Sequence, residues 1–419
     1  MSMNISVSNV AKVRNAQIEI DGITVVAGLN GTGKTTISKG IYSSINAYKS
    51  LPEKILQSRR DSIHNTLMQI LRRNEKLEQS FKYYDLVSDF FRELSDKNII
   101  VWVADRSLSK KYLKEWFSKV EEVSEDEIDE IVTEISKILV RTDNDYTKFL
   151  VDSYFNRVFK QQINCFQSPG VAEVEIEIDD KKFFSQFGNH KLTDHTCGLS
   201  CDKKAIYIES HNILDLSGLS RNFFGKQVYP TIATENLFRF LRSDKKFDTL
   251  YEDYTDAIEL EHIIDIIIDQ VTHGKLNVDE SGNFQFQDSI TNHSVNISNL
   301  SAGLKIFAVL QRLLENGTCK KGDILLIDEP EVNLHPEWQV IFAEILVLLQ
   351  KKIGLVIYVN THSPYFVRAI EVKMAEYEIA DKGKFYLMQE CEDGLCESKD
   401  VTKETEQIYS LLYKPLEEL

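Results

Sequence analysis

Gly28-Leu29-Asn30-Gly31-Thr32-Gly33-Lys34-Thr35 satisfies the phosphate-loop pattern G-x-x-x-x-G-K-[ST] at every fixed position. The apolar run Ile23-Thr24-Val25-Val26-Ala27 leads into it, and the helix-compatible run Ile37-Ser38-Lys39-Gly40-Ile41-Tyr42 leads out. That is the strand–loop–helix setting the pattern requires. Glycines there let successive backbone N–H groups converge on one centre, at the positive end of a helix dipole. Asn30, Gly31, Thr32, Gly33, Lys34, Thr35 and Thr36 are therefore expected to cradle nucleotide phosphates. Lys34 would reach the β/γ-phosphates and the Thr35 hydroxyl would hold Mg²⁺. The plainer alternative, a glycine-rich turn, leaves both flanks unexplained.

Two later stretches supply groups of complementary chemistry. Ile324-Leu325-Leu326-Ile327-Asp328-Glu329-Pro330 reads as a buried strand ending in two carboxylates. In a parallel α/β sheet ligands bind at strand C-terminal ends. Asp328 is placed to hold the Mg²⁺ that also touches Thr35, and Glu329 to orient or deprotonate an attacking water. By itself Asp-Glu-Pro suits a helix cap equally well; the phosphate loop in the same chain raises its meaning. Asn360-Thr361-His362-Ser363-Pro364 follows the next apolar strand, so His362 repeats the strand-end placement of Asp328 and can donate to a γ-phosphate. Glu329, His362 and Lys34 are the catalytic candidates. Leu300-Ser301-Ala302-Gly303 opens the helix ahead of the Asp328 strand. Its N-terminal amides suit a γ-phosphate, although the tetrapeptide alone is an ordinary cap.

The chain has 419 residues, 42% hydrophobic and 27% charged, with a net charge of −16. This is ordinary composition for a globular protein with core enough for two or three domains. The acidic balance argues against coating nucleic acid along the whole surface, but leaves open a local basic groove or a basic partner. No apolar run approaches a membrane span, and the N-terminus lacks the basic-then-apolar order of a signal peptide. Six scattered cysteines read as reduced thiols, so a cytoplasmic location is expected.

Along the chain, strands are expected at residues 4–10, 17–20 and 23–27, with Asp21-Gly22 as a tight turn between the last two. Helical spacing covers 59–77, 84–94, 112–120, 127–140 and 146–161, interrupted by the apolar run Ile99-Ile100-Val101-Trp102-Val103, read as a strand. Arg59, Arg60, Arg72 and Arg73 make basic patches; Glu121, Glu122, Glu125, Asp126, Glu127, Asp129 and Glu130 make an acidic stretch. Such runs are usually solvated faces, with a docking surface as the functional alternative. Residues 172–178 and 204–209 read as strands, 232–271 as helix, and 274–288 as a hairpin turned at Ser281-Gly282. From 298 onward strands and helices alternate, implying a largely parallel sheet. The expected division is a first lobe with the phosphate loop over 1–48, a helical insertion over 49–162, mixed strands over 163–230, a helical segment and hairpin over 231–288, and a second lobe with Ser301, Asp328 and His362 over 289–419.

Taken together, 28–35, 300–303, 324–329 and His362 resemble Walker A, signature, Walker B and switch histidine of ATP-binding-cassette (ABC) ATPases. Asp328-Glu329-Pro330-Glu331-Val332-Asn333-Leu334-His335-Pro336 and Thr361-His362-Ser363-Pro364-Tyr365 look like the SMC/RecF-like branch. They look in particular like ATPases related to overcoming-lysogenisation-defect (OLD) nucleases and antiphage systems such as Septu and PARIS. The resemblance implies an α/β ABC head, a mostly parallel P-loop sheet with N-terminal antiparallel strands, carrying a largely helical insertion. It implies ATP and Mg²⁺ as cofactors and a head-to-tail dimer of heads or a higher oligomer. In that dimer Ser301 and Gly303 serve the nucleotide of the second subunit. The family also has a glutamine sensing Mg²⁺ and water; Gln161 or Gln162 is the candidate, an ordinary surface glutamine the alternative. The chain departs from OLD nucleases in leaving too little after Pro364 for a nuclease domain of usual size, and from SMC proteins in lacking sustained heptads. A separately encoded effector, a nuclease, is therefore expected, with DNA or RNA engaged through it and no membrane. The function expected is a defence ATPase whose head closure gates that effector. The alternatives are a RecF-like DNA-repair ATPase closing on DNA itself and a slowly hydrolysing assembly scaffold.

Two weaker constellations remain. His190, His195, Cys197 and Cys201 are close in sequence, yet their spacing matches no common zinc finger and a polar loop is the simpler reading. Cys391-Glu392-Asp393-Gly394-Leu395-Cys396 reads as a hairpin with an Asp-Gly turn, reversible disulfide formation being a remote alternative.

Overall fold

The computed structural model describes residues 3–74, 77, 82–167, 170–196, 198–209, 213–218, 229–243, 254–279 and 282–417. The chain opens with β1 (Met3–Val10), β2 (Val13–Ile20) and β3 (Ile23–Gly28), then α1 (Lys34–Tyr48). The helices α2 (Leu51–Leu71), α3 (Lys82–Glu93), α4 (Asp96–Ala104), α5 (Arg106–Phe117), α6 (Glu125–Val140) and α7 (Asp143–Val158) follow. Next come β4 (Ala172–Ile178), β5 (Lys181–Gly188), β6 (Lys191–His195), β7 (Ala205–Ile208), α8 (Ile232–Leu241) and α9 (Tyr254–Ile267). A three-stranded sheet is made by β8 (Gly274–Val278), β9 (Phe284–Asp288) and β10 (Ser294–Asn296). The remainder is α10 (Ala302–Glu315), β11 (Ile324–Asp328), α11 (Pro336–Leu348), β12 (Val356–Thr361), α12 (Pro364–Glu376), β13 (Gly383–Glu390), β14 (Cys396–Asp400) and α13 (Glu406–Glu417).

Eleven strands form one sheet in the order β6-β5-β4-β1-β2-β14-β13-β3-β12-β11-β7. The pairs β13·β3, β3·β12, β12·β11 and β11·β7 are parallel, whereas β1, β2, β4, β5 and β6 pair antiparallel. The parallel core strands β3, β11 and β12 are buried at every residue, as strands covered on both faces must be. The antiparallel β4 instead alternates buried Val174 and Ile176 with less buried Glu173 and Glu175, one face solvated. The expected turn at Asp21-Gly22 exists, with Gly22 at φ +62°. It does not join a hairpin, however: β14 and β13 lie between β2 and β3. The turn passes the chain from the antiparallel lobe to the parallel core.

The chain divides into two compact units, 1–49 with 151–196 and 201–419, and 50–150 with 197–200. The second unit has its own core, built on Ile63, Leu67, Phe90, Trp102, Phe117 and Ile135. The apolar run at Ile99–Val103, expected as a strand, is helical instead. Ile99 and Trp102 are buried while Ile100 and Val101 are exposed, a three-residue spacing. Ser95 caps the helix by accepting from the Asn98 N–H. The charged runs are largely partners of each other or of the fold. Arg73 pairs with Glu130, Lys82 with Glu122, Lys114 with Asp129, and Arg60 with Asp96. Arg59 is buried, donating to Asp143 at 2.7 Å and lying over the Tyr146 ring. Glu127 completes a capping box with Ser124.

The hairpin at 274–288 is present as β8 and β9; its expected turn residue Ser281 lies outside the described residues. No helix among the described residues is long and apolar enough to cross a membrane.

Candidate nucleotide site

Three of the buried parallel strands end side by side: β3 in Gly28, β11 in Asp328 and β12 in Thr361. The register aligns Asp328 with Asn360 and Thr361 with Ala27, which sets the residues after each strand level with one another. A cleft of about 250 Å³ opens there, lined by Ala11, Lys12, Gly31, Thr32, Gly33, Lys34, Thr35, Thr36 and Glu329. Gly33 sits at φ +85° with its missing Cβ position 2.6 Å from Val13 Cγ2, so neither the backbone angle nor the space admits a side chain. Thr32 Oγ1 donates to the Leu29 carbonyl at 2.8 Å, which pins the loop. Among the described residues, the N–H groups of Gly31, Thr32 and Gly33 make no backbone hydrogen bond in a turn, loop or cap. Unengaged loop N–H groups at a helix N-terminus make an anion cradle.

Lys34 is buried and its Nζ donates to the carbonyls of Gly28 and Leu29, each at 2.8 Å. Burial pulls its ammonium below the ordinary value, against the raising influence of Glu329, Glu331 and Asp328. The carboxylates are therefore close enough to act on the lysine electrostatically.

Asp328 is held more tightly than its sequence context suggests. Oδ1 accepts from Ser38 Oγ at 2.9 Å and Asn360 Nδ2 at 2.7 Å, and Oδ2 accepts from Tyr207 Oη at 2.7 Å. Burial nonetheless pushes its carboxyl above the usual range, these hydrogen bonds opposing the shift. A divalent cation is the charge that would keep such a carboxylate ionised, and the hard oxygen donors of Thr35 and Asp328 suit Mg²⁺. Glu329, next in the chain, adopts φ +49°, a left-handed backbone unusual for a glutamate. Its side chain is 41% exposed, whereas that of Glu331 is 4% exposed. His362 Nδ1 lies 3.4 Å from Glu329 Oε1, so the structure brings these two candidates together.

Ser301 is the N-cap of α10 and accepts from the Leu304 N–H at 3.3 Å, as a helix-opening serine should. Gly303 packs so closely that a Cβ there would meet the Asn333 carbonyl at 2.7 Å. Gln161 and Gln162 follow α7 in local backbone bonds, Gln161 N–H to the Asn156 carbonyl and Gln162 N–H to the Phe159 carbonyl. The next residue, Ile163, accepts at its carbonyl from the N–H of Ala11, a residue of the cleft lining. Across the sheet, Glu209 is set beside Asp328. It follows β7, whose Ile208 is in register with Ile327. Its Oε2 accepts from Thr231 and Thr234 Oγ1, and burial pushes its carboxyl up. Glu209, Tyr207, Ser38, Asn360 and Glu331 carried no role in the motif reading. The signal available for Glu209 was a second apolar strand ending in an acid.

His190 Nδ1 accepts from the N–H groups of Ile163 and Asn164, each at 3.1 Å, which makes it a structural part of its loop. Cys197 lies outside the described residues. Among the described residues no group of three or more His, Cys, Asp or Glu side chains is arranged to hold a metal. Cys391 and Cys396 flank the β13–β14 hairpin as free thiols.

Phosphate loops occur in many ATPases. The phosphate loop at the end of β3, the antiparallel lobe joined to the parallel core and the helix opened by Ser301 just ahead of β11 define an α/β P-loop fold. Residues 204–368 match the family described as AAA domain, putative AbiEii toxin, Type IV TA system. Among solved structures, the SMC head domain from Thermotoga maritima is 11% identical, aligned over 96% of this chain and 98% of that one at a TM-score of 0.39. An Smc head with an extended coiled coil bound to the C-terminal domain of ScpA, from Pyrococcus furiosus, is 12% identical over 99% and 98% at 0.42.

Proposed function

We propose that the chain is a Mg²⁺-dependent ATPase whose heads associate around nucleotide and whose closure gates a separately encoded effector, a nuclease, in antiphage defence. The observation that carries the hydrolytic part is the meeting of Lys34 and Thr35 with Asp328, Glu329 and His362 at the ends of three parallel strands. The ATP·Mg²⁺ complex supplies a polarised γ-phosphoryl group open to in-line attack by water. The loop N–H groups of residues 31–33 and the Lys34 ammonium bind the β- and γ-phosphates. Thr35 and Asp328 hold the cation. Glu329, exposed beside the cleft, orients the water and takes its proton. His362 fixes the γ-phosphate. Ser301 and Gly303 face the nucleotide of a second head, so each site is complete only in a pair. Support for gating is the separate helical unit over 50–150, which follows α1 directly and has a core of its own. Nucleic acid is engaged through the effector, in the cytoplasm.

Equilibrium ATP binding, turnover and light scattering on the purified chain test this reading. Lys34→Ala should lose ATP affinity. Glu329→Gln should bind ATP, cease to hydrolyse it and accumulate as an ATP-dependent dimer. Unchanged affinity in the first variant, or normal turnover in the second, would overturn the assignment. Protection against phage that survives Glu329→Gln would overturn the gating role.

A further inference from the structure

Glu331 has no part in the machinery above, yet it is the most deeply buried acid of the Asp328–Glu331 loop, 5% exposed. Its Oε1 accepts from Thr361 Oγ1 at 2.6 Å and from the His362 backbone N–H at 3.0 Å. The same oxygen lies 3.5 Å from His362 Nδ1, and Glu329 Oε1 lies 3.4 Å from that nitrogen. One imidazole nitrogen thus has two carboxylates close to it. Glu331 Oε2 is buried with no hydrogen-bond partner, and His362 Nδ1 makes no hydrogen bond of acceptable geometry. A buried carboxylate oxygen left unpaired destabilises a fold, and each such group in a native structure calls for an explanation. Stapling the loop needs only an acceptor, which a glutamine carbonyl provides; what the carboxylate adds is charge directed at the ring.

We propose that Glu331 is a positioning residue for the hydrolytic step: it fixes the His362 backbone through Oε1 and draws the ring's Nδ1–H away from Glu329. Glu329 is thereby left free for the attacking water, and with Nδ1–H held by Glu331 the ring carries its second proton on Nε2, which donates to the γ-phosphate. The role in turnover rests on the hydrolytic reading above; the anchoring of the ring does not.

The test is Glu331→Gln, with Glu331→Asp as a charge-retaining second variant, measured for melting temperature, ATP affinity, kcat and the ¹⁵N ring resonances of His362. The latter are identified by their loss in His362→Asn. Glu331→Gln should melt at or above the wild-type temperature and bind ATP within about twofold, while kcat falls about tenfold or more. With ATP bound, its His362 resonances should move from the doubly protonated ring toward the neutral Nε2–H tautomer, and Glu331→Asp should retain the doubly protonated ring. A folded Glu331→Gln with wild-type kcat, or with unshifted His362 resonances, would overturn the proposal. If the wild-type chain itself shows no turnover, the hydrolytic reading falls, and the ring spectrum decides the anchor by itself: a shift upholds it and no shift removes it.

Discussion

Asp328 and Glu331 are three residues apart and are handled in opposite ways. The Asp328 oxygens are both engaged, by Tyr207, Ser38 and Asn360, whereas Glu331 keeps one oxygen unpaired at similar depth. Burial holds the Glu331 carboxyl above its ordinary 4.5. Over the window upward from that value the folded chain therefore binds more protons than the unfolded one, and stability falls as pH rises. Glutamine does not titrate. The melting temperature of Glu331→Gln should thus gain on the wild type as pH is raised from about 4.5 toward neutrality. Thermal melts across that range check this, and a gap independent of pH would contradict it. The meeting of the candidates Glu329 and His362 was legible in the sequence because strand-end position is a motif property. The donors around Asp328 were not, since Tyr207 and Ser38 are 121 and 290 residues away and meet it only across the sheet and α1.

At the scale of elements, α10 shows how local rules and packing divide the work. Ser301 opens the helix by a capping bond that sequence alone predicts. Gly303 is there for another reason: the turn that follows β11 passes so close that the Asn333 carbonyl would lie 2.7 Å from a Cβ. Gly303→Ala should push the helix from that turn and cost about 1–3 kcal/mol. Chemical denaturation measures the loss, and an unchanged midpoint would show that the contact relaxes freely. The element most open to misreading is α4. Five consecutive apolar residues satisfy a strand pattern and a helix pattern alike, and periodicity does not separate them. The Ser95 cap and the burial of Ile99 and Trp102 within the helical unit's core decide for helix.

At the scale of the whole molecule, the net charge of −16 makes direct, backbone-driven capture of DNA unfavourable. The basic helix that offered itself as a DNA surface is partly spent internally: Arg59 is buried on Asp143, and Arg60 and Arg73 pair with Asp96 and Glu130. Filter binding of duplex DNA by the purified chain with ATP should show no tight, salt-sensitive retention; finding it would favour the RecF-like clamp over a gated effector. What the sequence by itself determined was the class of chemistry. The phosphate loop, the acid pair and the histidine are contiguous motifs whose backbone requirements are local. The tertiary structure alone decided which strands are neighbours. It placed β13 and β14 between β2 and β3, brought β7 beside β11 so that Glu209 stands next to Asp328, and set Glu331 against the His362 backbone. Strand order arises from pairings between segments far apart in the chain, and the Glu331 contacts with Thr361 and His362 come from the neighbouring strand end, so no local spacing encodes either.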